Sequence, residues 1–146
     1  MRTSRIVWMA AALIAGAALS GCSTPASEEL RTDADPITSR FAQLDGLESV
    51  VWLGGTEGDD RAPGPSLYWV DAIVTVDAAH LATITDGLDL QPVDAPDLHD
   101  PLGAELPDGP FVGSPELDAA FSVDTYRSSV AIDVNDGVVV LVSQFE

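Results

Sequence analysis

The chain has 146 residues, with 24 acidic side chains against six arginines, no lysine, and a formal net charge of −18. That balance excludes nucleic acid as a partner, because phosphate binding draws on clustered Lys and Arg, and it sets the protein surface against an anionic membrane surface. A single cysteine, Cys22, rules out an internal disulfide.

Arg2 and Arg5 make a basic start, and Ile6 to Leu19 is an uninterrupted run of 14 apolar or small residues. This is the length of a secretory signal core, and it falls short of the roughly 20 apolar residues that a bilayer-crossing helix needs. Leu19-Ser20-Gly21-Cys22 then resembles the lipobox of bacterial lipoproteins at all four positions. The resemblance implies that the Cys22 thiol receives a diacylglyceryl group, that residues 1–21 are cut away, and that the new amino terminus is often acylated as well. It therefore implies a lipid-anchored protein on the exported side of the cell membrane, and it covers residues 1–22 only. One acyl chain, at about 0.8 kcal/mol per buried CH₂, holds a protein marginally, whereas two or more anchor it stably. All 24 acids follow Cys22, where only Arg31, Arg40, Arg61 and Arg127 remain as cations. The lipid on Cys22, rather than the protein surface, is then the expected membrane contact.

Ser23 to Asp35 is polar and lacks a sustained apolar period, so residues 22–35 read as the lipidated amino terminus and a flexible tether. As a coil, its 13 residues after the cysteine would span roughly 20 Å. Residues 36–146 fit one domain with one core. In "DPITSRFAQLDG", Asp35 is placed to cap, Pro36 occupies the first turn, and Ile37, Phe41 and Leu44 share one face of a predicted helix. "LESVVWLGG" reads as a strand ended by Gly54 and Gly55. After an acidic Gly/Pro loop, "SLYWVDAIVTVD" puts Tyr68, Val70, Ala72, Val74 and Val76 on one face of a long strand.

Asp77 is placed to cap a second helix carrying Leu81, Ile84 and Leu88, closed by Asp86-Gly87. Leu90 to Gly113 holds five prolines, which excludes a long regular element; a packed excursion, a lid and a mobile loop all remain open. Ser114 and Pro115 open a short helix with Leu117, Ala120 and Phe121 inward. A terminal hairpin follows, turning at Asn135-Asp136-Gly137, and its second strand, Val138 to Val142, is apolar on both faces. That places it centrally in the sheet, covered by helices on one side. The expected fold class is α+β: a four-stranded, mainly antiparallel sheet with two or three helices packed on one face. "RFAQLDGLESVVWL", with the strand and helix after it, resembles part of a ferredoxin-like or heavy-metal-associated module. The Cys-x-x-Cys of the metal-associated family is absent, so no metal role is carried over.

Asp94, Asp97, His99 and Asp100 bring oxygen and nitrogen donors together in the excursion. In a chain this acidic such clusters arise from composition, and neither a metal nor another cofactor is expected. Cys22 is consumed by lipid, no Gly-x-Ser-x-Gly is present, and Ser114 reads as a helix cap. The chain is therefore expected not to be an enzyme and to have no catalytic residue. Trp52, Tyr68 and Trp69 fall on adjacent strands, where packing is the usual role. Trp69 alternates away from the Tyr68 face and is the candidate for an exposed anchor. With Glu57, Asp59 and Asp60 in the "GGTEGDDRAPGPS" loop it forms the candidate partner-binding set, directed at a cationic protein or a wall component. The functional expectation is a membrane-anchored envelope lipoprotein that binds without catalysis; a small-ligand or cation-binding lipoprotein is the alternative, with an envelope hydrolase third.

Overall fold

The computed structural model describes residues 29–57 and 67–145. Cys22 and its lipobox, and Asp59 and Asp60, lie outside the described residues. Among the described residues the strands are β1 (Ser49–Glu57), β2 (Leu67–Thr75), β3 (Gln91–Val93), β4 (Phe111–Gly113), β5 (Arg127–Asp133) and β6 (Val138–Phe145). The helices are α1 (Asp35–Thr38), α2 (Ala78–Thr85) and α3 (Pro115–Phe121). The fold is α+β with one antiparallel sheet in the order β1-β2-β6-β5-β4-β3. No helix among the described residues is long and apolar enough to cross a membrane.

The sheet has six strands where the sequence suggests four. The additional pair, β3 and β4, comes from the proline-rich excursion. Its prolines exclude a long element but permit a three-residue edge strand, and Pro92 sits in β3 at the sheet's margin, where a missing N–H costs no ladder bond. β6 is central, as its apolar faces require: Val139, Val140 and Leu141 are fully buried between β2 and β5.

One face of the sheet meets the helices. Ile37, Phe41 and Leu44 from the α1 region, Leu81 from α2, and Leu117 and Phe121 from α3 close over Val50, Trp52, Val70, Ala72, Val74, Val139 and Leu141. Full burial of one such side chain is worth about 1.5–3 kcal/mol. The caps of α2 and α3 follow the sequence: Asp77 accepts the His80 N–H at 2.7 Å, and Ser114 Oγ accepts the Leu117 N–H at 3.1 Å. Asp118 of α3 also accepts the Val130 N–H at 2.7 Å, tying that helix to β5. The predicted first helix is much shorter than its apolar spacing suggests. It spans only Asp35–Thr38, its N-cap is Ala34 rather than Asp35, and a 3-10 turn at Ala42–Leu44 follows. Thr38 and Ser39 turn their hydroxyls back onto the Ala34, Asp35 and Pro36 carbonyls, a local alternative to continuing the helix.

The tether assignment is also corrected at its end. Arg31 forms an antiparallel bridge with Trp52 through two 2.9 Å backbone hydrogen bonds, and Trp52 Nε1–H donates to the Asp33 carbonyl at 3.0 Å. The Arg31 guanidinium lies 4.6 Å from the Trp52 ring centre, a cation–π distance. Residues 31–35 therefore pack with the domain, and the outer edge of β1 is paired at Trp52. At the far hairpin, Gly137 has φ +67°, and a Cβ there would come 2.6 Å from the Val76 carbonyl oxygen, so glycine is required twice over.

Candidate functional site

The second face of the sheet carries Leu53, Trp69, Ile73, Ala131 and Val140, and the excursion covers it with Leu98, Leu102 and Phe111. Of the three readings open to that segment, packed cover is the one the fold adopts. In the middle of this apolar layer stands Asp71, flanked in register by Leu53 on β1 and Val142 on β2's other neighbour, β6. Its residue exposure is 0%. Oδ2 accepts the backbone N–H of His99 and the His99 Nδ1–H, each at 2.8 Å. Oδ1 is buried with no partner among the described residues. The His99 ring stacks on Trp69 at 3.6 Å between centroids and 10° between planes.

This arrangement fixes the tautomer of His99. Facing a carboxylate oxygen that accepts, Nδ1 is the donor, and Nε2 is turned away from the pair on a side chain 39% exposed. An imidazole oriented by a buried carboxylate in this way suits either proton transfer or one metal bond. Among the described residues no three His, Cys, Asp or Glu side chains are grouped to hold a metal ion. The work the geometry does perform is mechanical: two donors of one residue converge on one buried oxygen and hold the excursion against the sheet. The other histidine, His80, donates Nε2–H to the Gln43 carbonyl at 2.7 Å and likewise joins two segments.

Trp69 is 4% exposed, which corrects its reading as an open anchor. Its indole occupies the space beside Gly55, its cross-strand partner, where a Cβ would meet the ring at 2.8 Å, and His99 stacks against it. The alternation along β2 is right about direction, since Trp69 does face away from Val70 and Ala72, but the excursion seals that side. Glu57 ends β1 opposite Leu67 and is exposed. Asp71 was missed because one acid within "YWVDAIV" reads as an outward position on a half-exposed strand. Its signal was available in the run of Trp69, Asp71 and Ile73, which puts the acid between two large apolar neighbours on one face.

Compared with protein-family models, with curated proteins and with solved structures, the chain has no significant match. The site must therefore be read from its own geometry.

Among the described residues, the sheet is exposed along its β3 margin and at the end that carries Glu57, Leu67 and Phe145. There Tyr68, 44% exposed, stacks on Phe145 with ring centres 5.4 Å apart, and Phe145 meets Tyr126 at 4.5 Å. Two grooves share Phe145. One, of about 460 Å³, is lined by Leu67, Asp124, Tyr126, Arg127 and Gln144 among others. The second, of about 270 Å³, lies on the helix side between the Arg31 segment, α1 and the ends of β1 and β2. It is the more apolar in composition, with Ile37, Trp52, Val70 and Phe145 in its walls.

Proposed function

We propose that the chain is a membrane-anchored envelope lipoprotein, held through lipid on Cys22, that acts as a non-enzymatic binding module. The anchor rests on the basic start, the 14-residue apolar run and the four matching lipobox positions. Binding rests on one observation: the sheet is buried on both faces, yet at one end it presents Tyr68 stacked on Phe145 between two grooves. Aromatic side chains held rigidly beside concave surface are the usual anchors of recognition. Glu57 stands at this end, and the loop holding Asp59 and Asp60 joins the two strands that form it. These carboxylates steer a cationic protein, while the grooves suit a wall component.

Two measurements test this reading. Cys22→Ala should lose lipid labelling and membrane retention while the domain keeps its melting midpoint; labelling at the unsubstituted level overturns the anchor. A photocrosslinking residue at position 68 should capture a partner in intact cells, and one at exposed Val93, on the opposite margin of the sheet, should not. Equal capture at both positions overturns the assignment of the surface.

A further inference from the structure

The smaller groove differs in charge from the rest of the molecule. In a chain where acids outnumber arginines 24 to six, no carboxylate among the described residues lines it, and the charged side chains those residues bring to it are Arg31 and Arg40. Both are held in place. Arg31 lies over Trp52, and Arg40 Nη1 donates to the Pro36 carbonyl at 2.6 Å, which leaves most guanidinium donors of each uncommitted by those contacts. Gly54 contributes no side chain to the floor: it is exposed, and a Cβ there would sit 3.3 Å from the Trp52 ring. Tyr68 and Phe145 stand at the mouth as a stacked pair.

We propose that this groove binds a saccharide bearing a carboxylate. Arginine offers the planar donor fork that matches a carboxylate, and the apolar floor with an exposed aromatic ring suits the C–H face of a sugar. A shallow, open trough fits one or two residues of a chain rather than an enclosed small molecule. The overall negative charge opposes a polyanion at long range, but the Debye length is about 8 Å at physiological ionic strength. Glu57 directly follows Thr56 of the groove wall, so the carboxylate contacts to Arg31 and Arg40 act against a nearby like charge, which salt screens. The inference deepens the binding-module reading and rests on it, since an exported domain is the one that meets envelope polysaccharide.

The test uses the full chain in detergent, titrated with trigalacturonate by calorimetry, with neutral maltotriose and acetate as comparison ligands. Saturable binding of trigalacturonate is expected, with maltotriose at least about tenfold weaker, because hydrogen bonds to charged groups are the stronger class. Arg31→Gln and Arg40→Gln should each weaken binding about tenfold, the range of one charge-assisted contact. Gly54→Leu should abolish binding by filling the floor. Because that side chain crowds Trp52, the two arginine variants decide the matter if its melting midpoint falls. Absence of saturable binding, equal affinity for maltotriose, full competition by acetate, or indifference to both arginine substitutions each overturns the proposal. The anchor and the Tyr68 surface stand or fall separately, by lipid labelling and by crosslinking.

Discussion

The two faces of the sheet are closed by different means. On the helix side, 16 buried hydrophobic residues interlock, from Ile37 and Phe41 through Leu117 and Phe121 to Leu141, and the carboxylate that ties a helix to the sheet there, Asp118, is only partly buried. On the excursion side, eight suffice, and Asp71 stands among them. Regular helices with a 3.6-residue period bring large apolar side chains to one face without help. A proline-rich segment has no such period, so a polar contact of fixed geometry supplies the register that packing alone leaves loose. The lesson is that a buried carboxylate here specifies which part of the excursion sits over β2. It adds little net stability, because taking a charge out of water offsets much of what its hydrogen bonds contribute.

The comparison is sharpened most by substitution on the helix face. Phe121→Ala, at a residue 1% exposed, should lower the unfolding free energy by about 3–5 kcal/mol, the range for deleting a core aromatic ring. Denaturant melts give the figure directly, and a loss under about 1 kcal/mol would mean that the helix face is not the main core. A smaller change is expected for Asp71→Ala, about 1–3 kcal/mol, since the orphaned N–H of His99 is costly while removal of the unpartnered Oδ1 is favourable. Its signature is local. Amide exchange should accelerate across residues 94–110 and stay unchanged in α3, and uniform acceleration would break the distinction between the faces. Smallest is His99→Phe, which keeps a ring against Trp69 and the backbone donor but removes Nδ1–H. A cost of about 1 kcal/mol is expected, and it should vanish in the Asp71→Ala background. A full additive cost in that double variant, measured by a thermodynamic cycle, would show that the ring acts by packing alone.

Much of the helix face was legible in the sequence, because its elements carry both period and punctuation. Asp77 and Ser114 cap where their residue types suggest, and the two-sided apolar run Val138 to Val142 lies in the middle of the sheet. Ile37, Phe41 and Leu44 are buried as their spacing implies even though the helix beneath them ends at Thr38. Burial follows from side-chain chemistry, while helix length depends on hydroxyls competing for carbonyls. The excursion was far less legible. Leu98 and Leu102 stand one helical step apart but with Pro101 between them, and what brings the two together with Phe111 is their shared contact with β1, β2, β5 and β6, a property of tertiary structure. The same gap hid the pairing of Asp71 with His99, 28 residues apart, and left Trp69 looking exposed. The Arg31 and Arg40 groove was equally invisible, since its walls come from stretches as far apart in the chain as Arg31, Trp52, Tyr68 and Phe145.

The bridge between Arg31 and Trp52 bears on how the molecule behaves among its own copies. A sheet margin with free N–H and C=O groups is a template for another strand. Here one margin is occupied by the chain's own residues at Trp52, and the other is a three-residue strand whose central residue, Pro92, lacks a donor. Both routes to strand exchange between neighbours are thereby blunted. The domain can be concentrated while each copy keeps its sheet to itself.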